Sequence, residues 1–333
     1  MHQETSRSRF VVLVEPPLAL LLAFAVSTLL VVAGSFATAL LVEDDSIGAL
    51  LGMERKLDIL LTPGEAEAPP ARLDATRSAV ASIFEKVDVV VIPEGGEAWR
   101  LLAWIEGDPS DEQLANVVVR LDELGWDNVI PTMTTQLRYL GAWENPRRMR
   151  AYVPPAMTIQ AFAFIVAAWI MIRWRKPRAL GGTIRPAAVF AWGLGSAVAA
   201  FLASTFVGGG LHLTGWEVEE QPWIRALMAD RSALLVLMPW LVLFGPVSEE
   251  VFFRGYVFRR LFSSAGAGAA YAVSALLFAV IHWHPVGLPM YAVIGLVFCW
   301  VYRRTGNLWA PVVGHVVYNA LVVGIPLVAP PTP

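Results

Sequence analysis

Seven apolar runs decide what this chain can become. A helix needs roughly 17–25 mainly apolar residues to cross a hydrocarbon core about 30 Å thick. Leu18–Val42, Ala156–Ile172, Pro186–Val207, Val286–Tyr302 and Leu308–Val328 meet that need. Two further runs, around Ser232–Phe262 and Ala267–His284, do so while carrying ionisable residues. Inside hydrocarbon no water satisfies backbone N–H and C=O groups, so such runs must close their own hydrogen bonds as helices. Residue usage agrees, because 56% of the chain is hydrophobic and only 16% charged, against about 25% charged in soluble domains. The expected fold is an all-α polytopic membrane protein of about seven transmembrane helices with a small inserted α+β soluble domain.

The runs divide the chain into an N-terminal tail at 1–17, an anchor at 18–42, a soluble domain at 43–153, helices two and three with their loop at 154–222, a core at 223–328 and a tail at 329–333. Arg7 and Arg9 precede an apolar run of about 25 residues without a clean small-residue cleavage site, which reads as an uncleaved anchor. Between 43 and 153 charges are scattered as in soluble proteins. There Val87–Ile92 and Leu101–Ile105 read as strands around Gly95–Gly96, Asp111–Leu124 as an amphipathic helix capped by Ser110, and Val129–Leu140 as strand-like.

Lys and Arg accumulate in short cytoplasmic loops. Arg7 and Arg9, then Arg173 to Arg178, then Arg259–Arg260, then Arg303–Arg304 fall at every second crossing, while Glu217, Glu219 and Glu220 fall on the other side. This places the N-terminus in the cytoplasm and domain 43–153 outside it; Arg147, Arg148 and Arg150 run against that orientation. The expected location is the bacterial inner (cell) membrane. A net charge of −3 with no basic stripe speaks against a nucleic-acid partner. The single cysteine, Cys299, rules out a disulfide within the chain and lies in an apolar run, where a reactive thiolate is disfavoured.

Ionisable side chains inside a span cost several kcal/mol and mark functional sites. Here they gather in three segments: Glu249, Glu250 and Arg254; His282; His315 and Asn319. Glu250 and Arg254 are four residues apart and can pair on one helix face, whereas Glu249 points about 100° away. His315 and Asn319 have the same spacing and share a face. At about 1.5 Å rise per residue, Glu249 lies roughly 15 Å above the charges at Arg259–Arg260, and Asn319 lies at a similar height above Arg304. The three segments can therefore meet near mid-membrane. Other intramembrane protease chemistries lack their residues: there is no His-Glu-x-x-His, no aspartate inside a span and no Gly-x-Ser-x-Gly.

Glu-Glu-x-x-x-Arg, Phe-x-x-x-His and His-x-x-x-Asn, in this order on successive apolar runs, resemble the signature of the CAAX-protease and bacteriocin-processing (CPBP, or Abi) family, which includes the Ras-converting type CAAX endopeptidase. The resemblance covers roughly Trp223–Val328 and implies a peptidase core at 223–328. It implies Glu249 as general base activating water, helped by His282. His315 and Asn319 would orient the water or stabilise the oxyanion, and Glu250 and Arg254 would support Glu249. Members are often labelled metallopeptidases, and Glu249, His282 and His315 are also a Glu/His/His set of the kind that holds catalytic zinc; the sequence leaves a zinc site and a metal-free glutamate mechanism both open. The implied partners are membrane lipid and a membrane-associated protein or peptide substrate. A proton-coupled transporter, or a non-proteolytic immunity or chaperone protein, could use the same buried Glu, His and Arg cluster, although the paired halves common in transporters are not seen.

Overall fold

The computed structural model describes residues 12–26, 53–63, 70–95, 98–127, 129–137, 145–178, 180, 182, 184–216, 224, 227 and 230–328. Arg7, Arg9, the glutamates at 217, 219 and 220 and the first apolar run beyond Val26 lie outside the described residues. The chain divides into two compact units, one built around a sheet and one of apolar helices.

In the sheet unit the order is β1 (Met53–Pro63), α2 (Pro70–Ala81), β2 (Val87–Gly95), β3 (Ala98–Ile105), α3 (Asp111–Glu123), a short β4 (Trp126–Asp127) and β5 (Pro131–Leu137); the label α1 belongs to the preceding helix, Val12–Val26. All pairings are antiparallel: β3 lies between β2 and β1, and β4 and β5 also pair with β1. Strand, helix, two strands, helix, strand with this order is the split βαβ, ferredoxin-like arrangement. Period-two alternation sends Leu57, Ile59, Leu61, Val89, Val91, Leu101, Ala103 and Ile105 to one face, where they bury with Val80, Val117, Leu121 and Trp126.

The strands read at 87–92 and 101–105 and the helix from Asp111 are present, and Ser110 completes a capping box with Gln113. β1 and α2 were not anticipated. Lys56 and Asp58 alternate with the inward Leu57, Ile59 and Leu61, so a central strand reads as charged chain. Pro70 opens α2 at the first helical position, where its missing N–H costs nothing.

The helical unit holds α1, α4 (Pro146–Arg175) from Pro154 on, α5 (Pro186–Leu213), α6 (Ser232–Ser264) from Leu237 on, α7 (Ala267–Val280), α8 (Leu288–Thr305) and α9 (Trp309–Val328). All seven runs contribute helix, but only Val153–Arg175, Pro186–Leu213 and Ser232–Ser264 are long and apolar enough to cross a membrane on length and composition alone among the described residues. Two boundaries differ from expectation. α1 begins at Val12, ahead of Leu18. α7 stops at Val280, so His282 lies in the turn after the helix; Trp283 takes a left-handed φ of 50° before Pro285.

Phe164, Phe252, Phe253, Tyr256, Phe258, Phe278 and Phe298 form the buried centre of this unit. α5 and α9 approach closely through small residues: a Cβ on Gly314 would run into the Ser196 hydroxyl and lie 3.0 Å from the Gly193 carbonyl.

Candidate active site

The site is built on α6, which is not a uniform α-helix. Trp240–Phe244 and Val251–Phe258 are π-helical and flank one α-helical stretch, Gly245–Glu250. The i to i+5 register widens the turn and changes which carbonyls are available, a feature frequent at functional sites. Gly245 sits where the first π turn closes on the Trp240 carbonyl, 2.9 Å from where a Cβ would stand. Glu249 and Glu250 end the central stretch.

Glu250 and Arg254 pair as their spacing requires. The Arg254 guanidinium donates through Nη1 to Glu250 Oε1 at 2.8 Å, with both side chains fully buried. Its Nη2 donates to the Gly295 carbonyl at 3.0 Å, and its flat face lies over the rings of Phe278 and Phe298 at 4.6 and 5.5 Å. The third partner comes from another helix. His315 of α9 places Nδ1 2.9 Å from the same Glu250 oxygen, and its ring stacks on Phe298 at 5.0 Å. Since a carboxylate accepts, Nδ1 carries the hydrogen and Nε2 presents its lone pair. Glu250 and Arg254 thus hold His315.

Glu249 points elsewhere, with about 20% of its side chain exposed. Its Oε2 lies 4.0 Å from His315 Nε2, too far for a direct hydrogen bond, and this buried oxygen has no hydrogen-bond partner. A carboxylate oxygen left without a donor is costly unless a bound group supplies one.

His282 ends α7 by bonding Nδ1 to the Phe278 carbonyl at 2.8 Å. A carbonyl can only accept, so Nδ1 again carries the hydrogen and Nε2 is the basic atom. The imidazole stacks on Tyr291 of α8 at 4.1 Å with 18° between planes. Asn319 shares a face with His315 and reaches the same helix, but its amide donates to the Leu241 carbonyl at 2.8 Å, within the first π stretch. His284 accepts from the Gly287 N–H and shapes the turn.

Glu249, Glu250, Arg254 and His315 therefore form one contiguous cluster, His282 joins it through the rings of Phe278 at 4.9 and 5.6 Å from His282 and His315, and Asn319 faces the cluster's own helix. Tyr291, Phe298 and the Leu241 carbonyl were missed. No spacing rule reveals them, since each answers a side chain of a different element: Tyr291 and Phe298 of α8 meet His282 and His315, and Leu241 of α6 meets Asn319 of α9.

For the Glu249, His282 and His315 set, no three His, Cys, Asp or Glu side chains among the described residues form a group able to hold a metal ion, while His282 and His315 each bond Nδ1 to a protein acceptor and keep Nε2 open, as metal-ligating imidazoles do.

This cluster of two glutamates, an arginine and two histidines lies on α6, in the turn after α7 and on α9, and a family model matches that stretch. Residues 231–321 match the type II CAAX prenyl endopeptidase Rce1-like family. All six expected site residues fall inside the Rce1-like stretch. Relatives carry related names. YdiL of Bacillus subtilis (strain 168), named as a membrane peptidase, is 32% identical over 79 residues, covering 24% of this chain and 32% of that protein. The membrane-embedded CAAX protease MroQ of Staphylococcus aureus (strain USA300) is 33% identical over 92 residues, covering 26% of this chain and 37% of its own length. Each match spans about a third of the relative. The sheet, from Met53 to Leu137, lies outside the Rce1-like stretch.

Proposed function

We propose that this chain is an intramembrane endopeptidase that hydrolyses a peptide bond of a membrane-associated protein or peptide, in the manner of a CAAX protease. The observation that carries the reading is Glu249: a buried carboxylate oxygen without a donor, facing a histidine whose orientation is locked by a buried Glu250–Arg254 pair. The Rce1-like match over the same residues supports it.

In this reading a water bridges the 4.0 Å gap between Glu249 Oε2 and His315 Nε2. Glu249 takes its proton as the hydroxide attacks the scissile carbonyl. Both hydrogens of that water are then taken, so His282 Nε2 accepts instead from the N–H of the substrate backbone and holds the scissile bond in line. Glu250, tied to Arg254, keeps His315 in the tautomer whose Nε2 can take and return a proton. Asn319, anchored on Leu241, uses its second amide hydrogen for the tetrahedral oxyanion, a donation worth several kcal/mol in a dry site. Glu249 then passes its proton to the leaving amine.

Seven crossings, a cytoplasmic N-terminus, an extracytoplasmic domain at 43–153 and a bacterial inner membrane complete the proposal, and fusions of a topology reporter after residues 43, 153 and 266 test the orientation. The split βαβ unit is proposed to select substrate. The decisive assay compares membrane proteomes of cells carrying the wild type or Glu249→Gln: the proposal requires protein tails that are shortened only with the wild type. An identical proteome, with Glu249→Gln made and inserted at wild-type levels, overturns it.

A further inference from the structure

Away from the cluster, a cleft of about 370 Å³ opens between α1 and the end of α4. Its walls are Val14, Leu18, Ala19, Leu22 and Met171, and at one end stand Glu15, Trp174 and Arg175. The polar end is organised. Glu15, 7% exposed inside an apolar helix, accepts from Tyr256 at 3.0 Å and Arg260 at 3.2 Å, and pairs with Arg175 at 3.0 Å. One carboxylate thus answers two guanidiniums, which leaves one positive charge in excess at the mouth of an apolar cleft. Arg175 lies flat over the Trp174 ring at 4.0 Å, and its Nε is buried with no acceptor. Arg173 and Lys176 add charge on the same end of α4.

An excess cation whose side chain is 29% exposed, at the end of an apolar cleft between two apolar helices, matches a molecule with an anionic head and a hydrocarbon chain. We infer that this cleft binds one anionic phospholipid, its phosphate on Arg175 and an acyl chain along Leu18, Leu22 and Met171. Bound there, the lipid holds α1 against α4 through the arginine that also pairs with Glu15. A peptide segment would bring its own backbone groups into a cleft whose walls offer them no partners, which disfavours it.

The test uses the full-length protein in dodecyl maltoside, titrated with dioleoyl phosphatidylglycerol or dioleoyl phosphatidylcholine, with bound lipid counted by native mass spectrometry. Phosphatidylglycerol should bind about fivefold more tightly than phosphatidylcholine, the ratio one interfacial arginine supplies. Arg175→Gln should remove that preference and leave phosphatidylcholine binding as it was. Leu22→Trp, at an exposed position where folding is not at risk, should weaken both lipids. Glycerol 1-phosphate at the same concentrations should not bind. Equal binding of the two lipids, a preference that survives Arg175→Gln, unchanged binding in Leu22→Trp, or glycerol phosphate bound as well as the lipid would each overturn the inference.

Discussion

Replacing Arg254 by methionine tests how the site is held. The guanidinium is fully buried, donates at 2.8 Å to a fully buried Glu250 and lies 4.6 Å over the Phe278 ring. Methionine keeps most of the stem and removes the charge. Breaking a buried pair from one side costs about 3–5 kcal/mol because the other charge is stranded, and a desolvated cation–ring contact adds up to about 2 kcal/mol. The expected loss is therefore about 5 kcal/mol, read from unfolding in mixed micelles of rising dodecyl sulfate fraction. Glu250→Gln in the same chain removes the stranded charge, so Arg254→Met with Glu250→Gln should recover about 1–3 kcal/mol relative to the sum of the single losses. A loss near the 0–1 kcal/mol of an exposed pair, or strict additivity, would refute the view that this pair is a buried, coupled support for His315.

Glu249→Gln should lower cleavage of any reporter substrate by about 10²–10⁴-fold, the usual worth of a general base, while unfolding shifts by less than about 1 kcal/mol because that side chain supports no other. Tyr291→Leu should slow turnover about 2–12-fold with KM unchanged, since the aromatic stack that orients His282 is worth about 0.5–1.5 kcal/mol; Tyr291→Phe, which keeps the stack, should restore the rate. At the start of α6, Asp230 accepts from the Ser232 and Ala233 N–H groups at 2.9 and 3.1 Å. Burial pushes its carboxyl up, but the Ser232 hydroxyl, these N–H groups and Arg150 outweigh that and hold it below the usual range. A depressed carboxyl contributes stability above its unfolded value and loses it as pH falls. Acidification to about pH 3 should therefore destabilise wild type more than Asp230→Asn, seen as a smaller fall in thermal midpoint for the variant. Ser110→Ala should weaken α3 by about 1 kcal/mol, measured as faster amide exchange in its first turn.

The sequence by itself determined the solvent of most of this chain and the faces of its reactive helices. Apolar length and the absence of water in hydrocarbon force helices, and the four-residue spacing of Glu250 with Arg254 and His315 with Asn319 places each pair on one face through backbone geometry alone. The helix from Asp111 and the strands at 87–92 and 101–105 were equally legible, because capping and alternation are local. Partner choice was not local. That Glu250 answers His315, 65 residues on, that Asn319 spends its amide on Leu241, and that Tyr291 lies under His282 all depend on how α7, α8 and α9 lean on α6. Ring packing around Phe278 and Phe298 joins α7 and α8 to Arg254 and His315, and the close approach at Gly193 and Gly314 seats α9 against α5. The two π stretches changed which carbonyls α6 offers, and β1 became a central strand only when β3 and β5 closed on it. Spacing along a helix fixes direction, but distance between helices is decided by side-chain volumes brought together from the whole chain, and the opposing groups of a site exist only at that distance.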